Sequence, residues 1–209
     1  MSENEILSFL LQIGNKAEKL VELTPGKTIG YVSNALDFSY ADQASKQRHI
    51  ASDMKSLEYL DLKLTLLDLT PYFHEKDLLK AKLKELGAIF ISGGNVFVLR
   101  QAMKLSGLDE IIAQEELRDN FLYSGYSAAG CVLSPSLSVY QIVDDANETP
   151  YAEWNEIIWE GLGLLDYAFM PHWDSAHHES ADMAKEIVLC QKKGIAYKAI
   201  RDGEVIIIE

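Results

Sequence analysis

The sequence predicts an α/β fold built on a mainly parallel sheet with helices on both faces. Three observations carry that expectation. Short apolar runs with strand character alternate along the chain with longer segments of helical period. Several of the runs, such as Ala88-Ile-Phe-Ile91, are apolar at every position, as a strand covered on both sides requires. Finally, 209 residues that are 48% hydrophobic suffice for one sizeable core and are short for two domains. We therefore expect a single domain over residues 1–209, in three α/β/α layers.

The elements follow in order. Ile6 to Leu11 opens the series as a strand candidate and Lys16 to Glu22 follows as a helix. Thr28 to Val32 is the second strand, Tyr40 to Leu57 a long periodic helix, and Lys63 to Leu67 the third strand. A helix at Lys76 to Leu86 leads into the strand Ala88 to Ile91, and a helix at Val96 to Leu105 follows. The strand Phe121 to Ser124 breaks off at a cluster of small residues. Gln141 to Pro150 carries Asp144, Asp145, Asn147 and Pro150 and reads as a loop. The strand Tyr167 to Met170, the helix Ala181 to Lys193 and the strands Ile195 to Ile200 and Val205 to Ile208 complete the chain. No internal repeat, low-complexity segment or linker interrupts the pattern.

Charge and composition narrow the function. The formal net charge is −13 with no lysine or arginine cluster to offset it, so nucleic acid and anionic membrane are poor partners. The two cysteines, Cys131 and Cys190, have no metal-type or redox-type spacing and read as buried thiols in a reducing compartment. The acidic start Met1-Ser-Glu-Asn-Glu is unlike a secretory signal, and no apolar run is long enough to span a bilayer. A cytoplasmic protein is expected, as a monomer or homodimer.

Open parallel sheets place ligands at the C-terminal ends of their strands, and the chemistry-bearing segments fall there. Ser33-Asn-Ala-Leu, Ser92-Gly-Gly-Asn95, Ser127 and Pro171-His172 each follow a strand. Within Phe121-Leu-Tyr-Ser-Gly-Tyr-Ser-Ala-Ala-Gly-Cys131, Ser127 sits where a strand turns sharply into a helix, among small residues that permit the turn. This is a nucleophile elbow. The amide of Ala128 would lie at a helix start, and Gly93 and Gly94 could bring further amides to an oxyanion, although a plain βα turn or a phosphate nest is the blander reading. His172 is the candidate general base. Its orienting acid could be Asp144 or Asp145, with Asp174 and Asp202 as further candidates. His177 and His178 could be imagined as metal ligands with His172, but no metal-type spacing is present and no metal or cofactor is expected. Gly93, Asn95 and Tyr126 are candidates to line a substrate pocket.

These residues resemble the peptidase E, or aspartyl dipeptidase, family of serine peptidases, whose fold is similar to class I glutamine amidotransferases and so flavodoxin-like. The resemblance rests on Gly30-Tyr-Val-Ser-Asn-Ala-Leu-Asp37, Ile91-Ser-Gly-Gly-Asn-Val-Phe-Val-Leu99, Gly125-Tyr-Ser-Ala, Cys131-Val-Leu-Ser-Pro-Ser-Leu137, Val143-Asp-Asp145, Gly161-Leu-Gly-Leu-Leu-Asp166 and Pro171-His-Trp-Asp-Ser175. It implies Ser127 as nucleophile, His172 as base and an oxyanion hole at the amides of Gly94 and Ala128. For the third member it implies Asp144, preferred for its Val-Asp-Asp setting, or Asp202. The implied reaction is hydrolysis of small peptides with N-terminal aspartate through an acyl-enzyme, with a cation facing that carboxylate. Arg100, Lys104, Arg118 and Arg201 are the candidates. One departure lies in the elbow: the family follows its serine with Ala-Gly-Ala, whereas Ala128-Ala129-Gly130 has the last two interchanged. Cyanophycinase-like cleavage of β-aspartyl peptides and a non-catalytic peptide-binding role are the alternatives. Glutamine amidotransfer is disfavoured because it needs a cysteine at the elbow.

Overall fold

The computed structural model of the protein describes residues 17–24, 26–38, 42–113 and 121–208. Four strands form one parallel sheet: β1 (Thr28–Val32), β2 (Lys63–Leu66), β3 (Gly87–Ile91) and β4 (Leu122–Gly125), in the order β2-β1-β3-β4. Every pair is parallel, with Thr28 opposite both Lys63 and Gly87 and Ala88 opposite Leu122. Two further strands, β5 (Ala168–Met170) and β6 (Tyr197–Ala199), pair parallel in a separate two-stranded sheet. The expected α/β architecture is present, but its sheet is in two pieces.

Side chains alternate across the main sheet with the two-residue period of a strand. Ile29, Tyr31, Ala88 and Phe90 point to one face and pack with Leu20, Leu57 and Leu62. Val32, Ile89 and Ile91 point to the other and join the larger core of Leu79, Leu83 and Leu86. Helices therefore cover both faces: α1 (Ala17–Leu23) and α2 (Gln43–Glu58) on the first, α3 (Lys76–Leu86) and α4 (Val96–Ser106) on the second. A short α5 (Leu108–Ala113), which the apolar pattern does not announce, follows α4.

Helix ends are set by local chemistry. Asp42 accepts hydrogen bonds from the amides of Ala44 and Ser45, so α2 starts at Gln43, and the expected start at Tyr40 lies outside the described residues. Gly87 closes α3 with a left-handed φ of 79° and at once begins β3, which removes any connecting loop. The helix α7 (Ser180–Lys193) ends in the same way at Gly194, with Lys192 and Lys193 in its last turn. Among the described residues no helix is long and apolar enough to cross a membrane.

Two strand expectations need comment. Ile6 to Leu11 lies outside the described residues. Val205 to Ile208 is irregular backbone: Val205, Ile207 and Ile208 are exposed and no described strand lies alongside to take its hydrogen bonds.

Candidate active site

The C-terminal ends of β1, β3 and β4 open into a cleft of about 450 Å³, and Ser127, Gly94, Asp144 and His172 all line it. Its floor is the elbow. Ser127 has φ 50° and ψ −110°, outside the regions a serine ordinarily occupies, between β4 and the one-turn helix α6 (Ala128–Cys131). Strain of this kind costs about 1–3 kcal/mol and persists only where the surroundings enforce it. Here Gly125, at φ 155°, provides the room: a Cβ there would lie 2.4 Å from the Ile91 carbonyl oxygen and 2.5 Å from the Ala129 Cβ. Gly93 is equally constrained, because its Cβ would meet the Tyr126 ring at 2.7 Å and the Ser127 Cβ at 3.2 Å. Behind the turn, the Tyr123 hydroxyl donates to the Ala129 carbonyl at 2.7 Å.

The interchanged pair takes no toll on this turn. Ala129 is buried and helical, and the left-handed position belongs to Ser127. Gly130 faces the Phe169 ring of β5, where a Cβ would come within 2.5 Å. Glycine at 130 thus lets β5 approach the elbow helix. The approach is locked by a ring of bonds that sequence reasoning missed: the Phe169 amide donates to the Ser134 hydroxyl at 3.0 Å, Ser134 and Tyr140 share a bond at 2.7 Å, and the Tyr140 hydroxyl donates to the Phe169 carbonyl at 2.8 Å.

Two amides point to oxyanion chemistry. Among the described residues neither the Gly94 nor the Ala128 N–H donates to a protein acceptor. A Cβ on Gly94 (φ 135°) would meet the Ala35 carbonyl oxygen at 2.4 Å, so only glycine lets this backbone lie against the loop after β1. The adjoining Asn95, which lines the same cleft, also builds the turn: its Oδ1 caps α4 at the amides of Phe97 and Val98, and its Nδ2 donates one hydrogen to the Asp145 carbonyl. That side chain holds the turn at the floor of the cleft.

His172 is buried on the loop after β5, and its Nδ1 lies 2.7 Å from Asp202 Oδ1 on the loop after β6. The two loops are zipped together. The Trp173 amide donates to the Ile200 carbonyl, the Asp202 amide to the Ser175 hydroxyl at 2.8 Å, and Arg201 pairs with Asp174 while lying over the Trp173 ring. Asp144, the acid preferred from sequence, is placed elsewhere. Its carboxylate accepts from the Val96 amide at 2.9 Å, at the start of α4. Burial foremost, with the charges of Glu179 and Glu186, pushes its pKa up to about 7 against one opposing backbone bond. Asp145 bonds Asn147 within its own turn, and Asp174 is taken by Arg201.

The Ser127 hydroxyl has no hydrogen-bond partner among the described residues; bonds of this type tighten when substrate arrives. The outer face of His172 stacks on His177, ring centroids 3.7 Å apart and planes 12° from parallel. Burial, then the neighbouring His172 and His178, lowers the His177 pKa to about 4, so the stack carries at most one charge near neutral pH. His172, His177 and Glu179 have ligand atoms within 4.8 Å of one another, a grouping that could hold a metal ion. Stacked imidazoles direct their in-plane lone pairs along parallel lines, however, so the rings would have to turn before both could reach one ion. Cys131 and Cys190 are free and buried, and burial pushes the Cys131 thiol well above its usual range, which suits packing and not nucleophilic attack.

A strained serine at a strand end that shares its cleft with an imidazole paired to a carboxylate is an arrangement suited to an α/β serine hydrolase. Its family follows from comparison: the profile of Peptidase family S51 matches residues 18–209, and the chain belongs to that family. It is similar to an uncharacterized peptidase of Listeria innocua, Lin0382, 28% identical over 77% of this chain and 72% of the relative. It also resembles a Peptidase E of Streptomyces coelicolor, 33% identical over 44% of this chain and 35% of that protein. Among solved structures, a candidate peptidase E protein from Listeria monocytogenes superposes with a TM-score of 0.69 at 23% identity, covering 90% of this chain and 85% of that one. The protein is thus a peptidase with the peptidase E fold.

Proposed function

We propose that this peptidase is a serine exopeptidase acting on small peptides, with an acidic first residue preferred, through an acyl-enzyme on Ser127. The observation that carries the reading is the His172–Asp202 pair opening onto the same cleft as the strained Ser127. The Ser127 oxygen attacks the peptide carbonyl carbon, and its proton passes to His172 Nε2. Asp202 holds Nδ1–H and stabilises the imidazolium, and the amides of Gly94 and Ala128 receive the oxyanion. As the C–N bond breaks, the imidazolium returns the proton to the leaving amine; water then enters and the same base deprotonates it to free the acid. Glu179 adds negative charge to the cleft, and the Asp144 carboxyl beside it offers a hydrogen-bonding oxygen, which suits a substrate that carries a free ammonium.

The interchange at 129 and 130 supports catalysis over a binding-only role, because neither residue disturbs the turn at Ser127. Hydrolysis of a panel of Asp-Xaa, Asn-Xaa and β-aspartyl dipeptides tests the reading. Cleavage of Asp-Xaa that disappears in Ser127→Ala and His172→Ala is expected. Cleavage confined to β-aspartyl peptides would favour the cyanophycinase-like alternative, and no cleavage by a folded protein would favour a binding role.

A further inference from the structure

The proposed acidic substrate preference requires a cation in the cleft, and the described candidates from sequence are engaged elsewhere. Arg100 pairs with Asp109 and donates to the Glu160 carbonyl, Lys104 faces Asp109 and Glu110, and Arg201 pairs with Asp174. Lys46 is tied to Asp37, and Arg118 lies outside the described residues. Among the described residues no lysine or arginine lines the cleft. His49 does, from the exposed side of α2, with its side chain 45% accessible.

The setting of His49 determines which of its nitrogens holds a proton. Asp53, one turn on and almost fully buried, accepts from the hydroxyls of Tyr31 and Tyr126, both at 2.6 Å. Burial foremost raises the pKa of both phenols well above the usual range, so they remain O–H donors. The Tyr126 proton is committed to Asp53, and its oxygen is left as the acceptor for His49 Nε2 at 2.7 Å. Nε2 therefore carries hydrogen, and a second proton must enter at Nδ1, which has no partner among the described residues. The Asp53 carboxylate, 3.5 Å from Nε2, favours that second proton and raises the pKa of His49.

We propose that His49 is the specificity residue that reads an anionic side chain on the first residue of the substrate, with the imidazolium donating from Nδ1. The inference rests on the exopeptidase reading above and adds the residue that selects the substrate. The charge layout of the cleft agrees. Asp144 feels the charge of Glu179, whereas among the described residues the one carboxylate acting on His49 is Asp53, which two tyrosines already satisfy. A peptide with an anionic side chain and a cationic amine meets a cleft polarised the opposite way.

The test is calorimetric binding of Asp-Leu and its neutral isostere Asn-Leu to the Ser127→Ala protein at pH 6 and pH 9. A preference for Asp-Leu of roughly 10- to 100-fold is expected at pH 6, the range of a charge-assisted bond, with most of it gone at pH 9. His49→Gln should abolish the preference at both pH values, and His49→Arg should keep it at both. Asp53, Tyr126 and Tyr31 face His49 from their own elements, and His172, His177, His178, Glu179 and Asp144 share the cleft; the isostere comparison subtracts their action on the peptide parts common to both ligands. Equal binding of the two peptides, or a preference that survives His49→Gln, overturns the proposal. The readout needs no turnover, so a wild-type protein that hydrolyses neither peptide would sink the exopeptidase reading while leaving the role of His49 to be judged on binding alone.

Discussion

The two halves of the proposed site are built by different physics. The nucleophile half, Ser127 with the amides of Ala128 and Gly94, is fixed by steric exclusion: Gly125, Gly93 and Gly94 each stand where a Cβ would strike backbone or ring. The base half, His172 with Asp202, is fixed by pairing between two loops 30 residues apart, each following a strand of the smaller sheet. Small residues in contiguous sequence make the first half rigid, and tertiary hydrogen bonds make the second. A methyl group in the wrong place should therefore ruin the first, whereas the second should tolerate loss of any single exposed bond.

Substitutions can break this contrast, and the largest effect belongs to the elbow. Gly125→Ala should reduce kcat by about 10³-fold or more, because the turn cannot form with a methyl group against the Ile91 carbonyl, and Ser127→Ala should remove activity to the level of background. Steady-state hydrolysis of Asp-Leu reads both, with circular dichroism to show that the folds persist. Next is Gly130→Ala, which restores the family's residue at that position but drives a Cβ into Phe169; a loss of about 1–3 kcal/mol is expected in urea unfolding. Adding Phe169→Leu should recover most of it, since the clash is with a side chain and not with the turn.

Two half-buried groups sharpen the comparison through the pH dependence of stability. The His177 pKa falls from 6.5 to about 4, so the unfolded chain binds more protons across that window and stability declines as pH drops through it. Asp144 has the opposite sign. Its pKa rises from 3.8 to about 7, so the folded chain holds the proton longer and stability declines as pH climbs from about 4 to 7. Thermal melts should show His177→Gln losing less than wild type on acidification, and Asp144→Asn gaining on wild type between pH 5 and pH 8. The smallest effect is expected at Arg201→Ala. Its ion pair with Asp174 is exposed and worth about 0–1 kcal/mol, and the loop pairing through Trp173 and Asp202 remains. Both Tm and kcat should stay near wild type.

The same contrast decides what could be read from sequence. Steric rules are local, so Gly125, Ser127, Gly93 and Gly94 announced the elbow and the amide turn, and the apolar runs announced β1 to β4. Loop pairing is not local. Nothing near Arg201-Asp-Gly-Glu204 marks Asp202 as the partner of His172 until β5 and β6 lie side by side, whereas the neighbours of Asp144 are family-like and favour it from sequence. The position of Asn95 after β3 suits a ligand contact and a helix cap alike, and only the folded structure shows the cap. The Ser134–Tyr140–Phe169 lock and the His49–Asp53–Tyr126 relay join residues up to 77 positions apart and had no local signal. The split of the sheet was hidden for the same reason, since strand-like composition at Val205 to Ile208 says nothing about whether a partner edge is available.

The central claim is that Asp202, and not Asp144, braces His172 for attack by Ser127. The most direct measurement is the rate at which a fluorophosphonate probe labels Ser127 in wild type, Asp202→Asn and Asp144→Asn, followed by intact mass. The account predicts stoichiometric labelling of wild type, a rate about 10³-fold lower in Asp202→Asn, and a rate within a few-fold of wild type in Asp144→Asn. Slow labelling of Asp144→Asn with near-normal labelling of Asp202→Asn would contradict it.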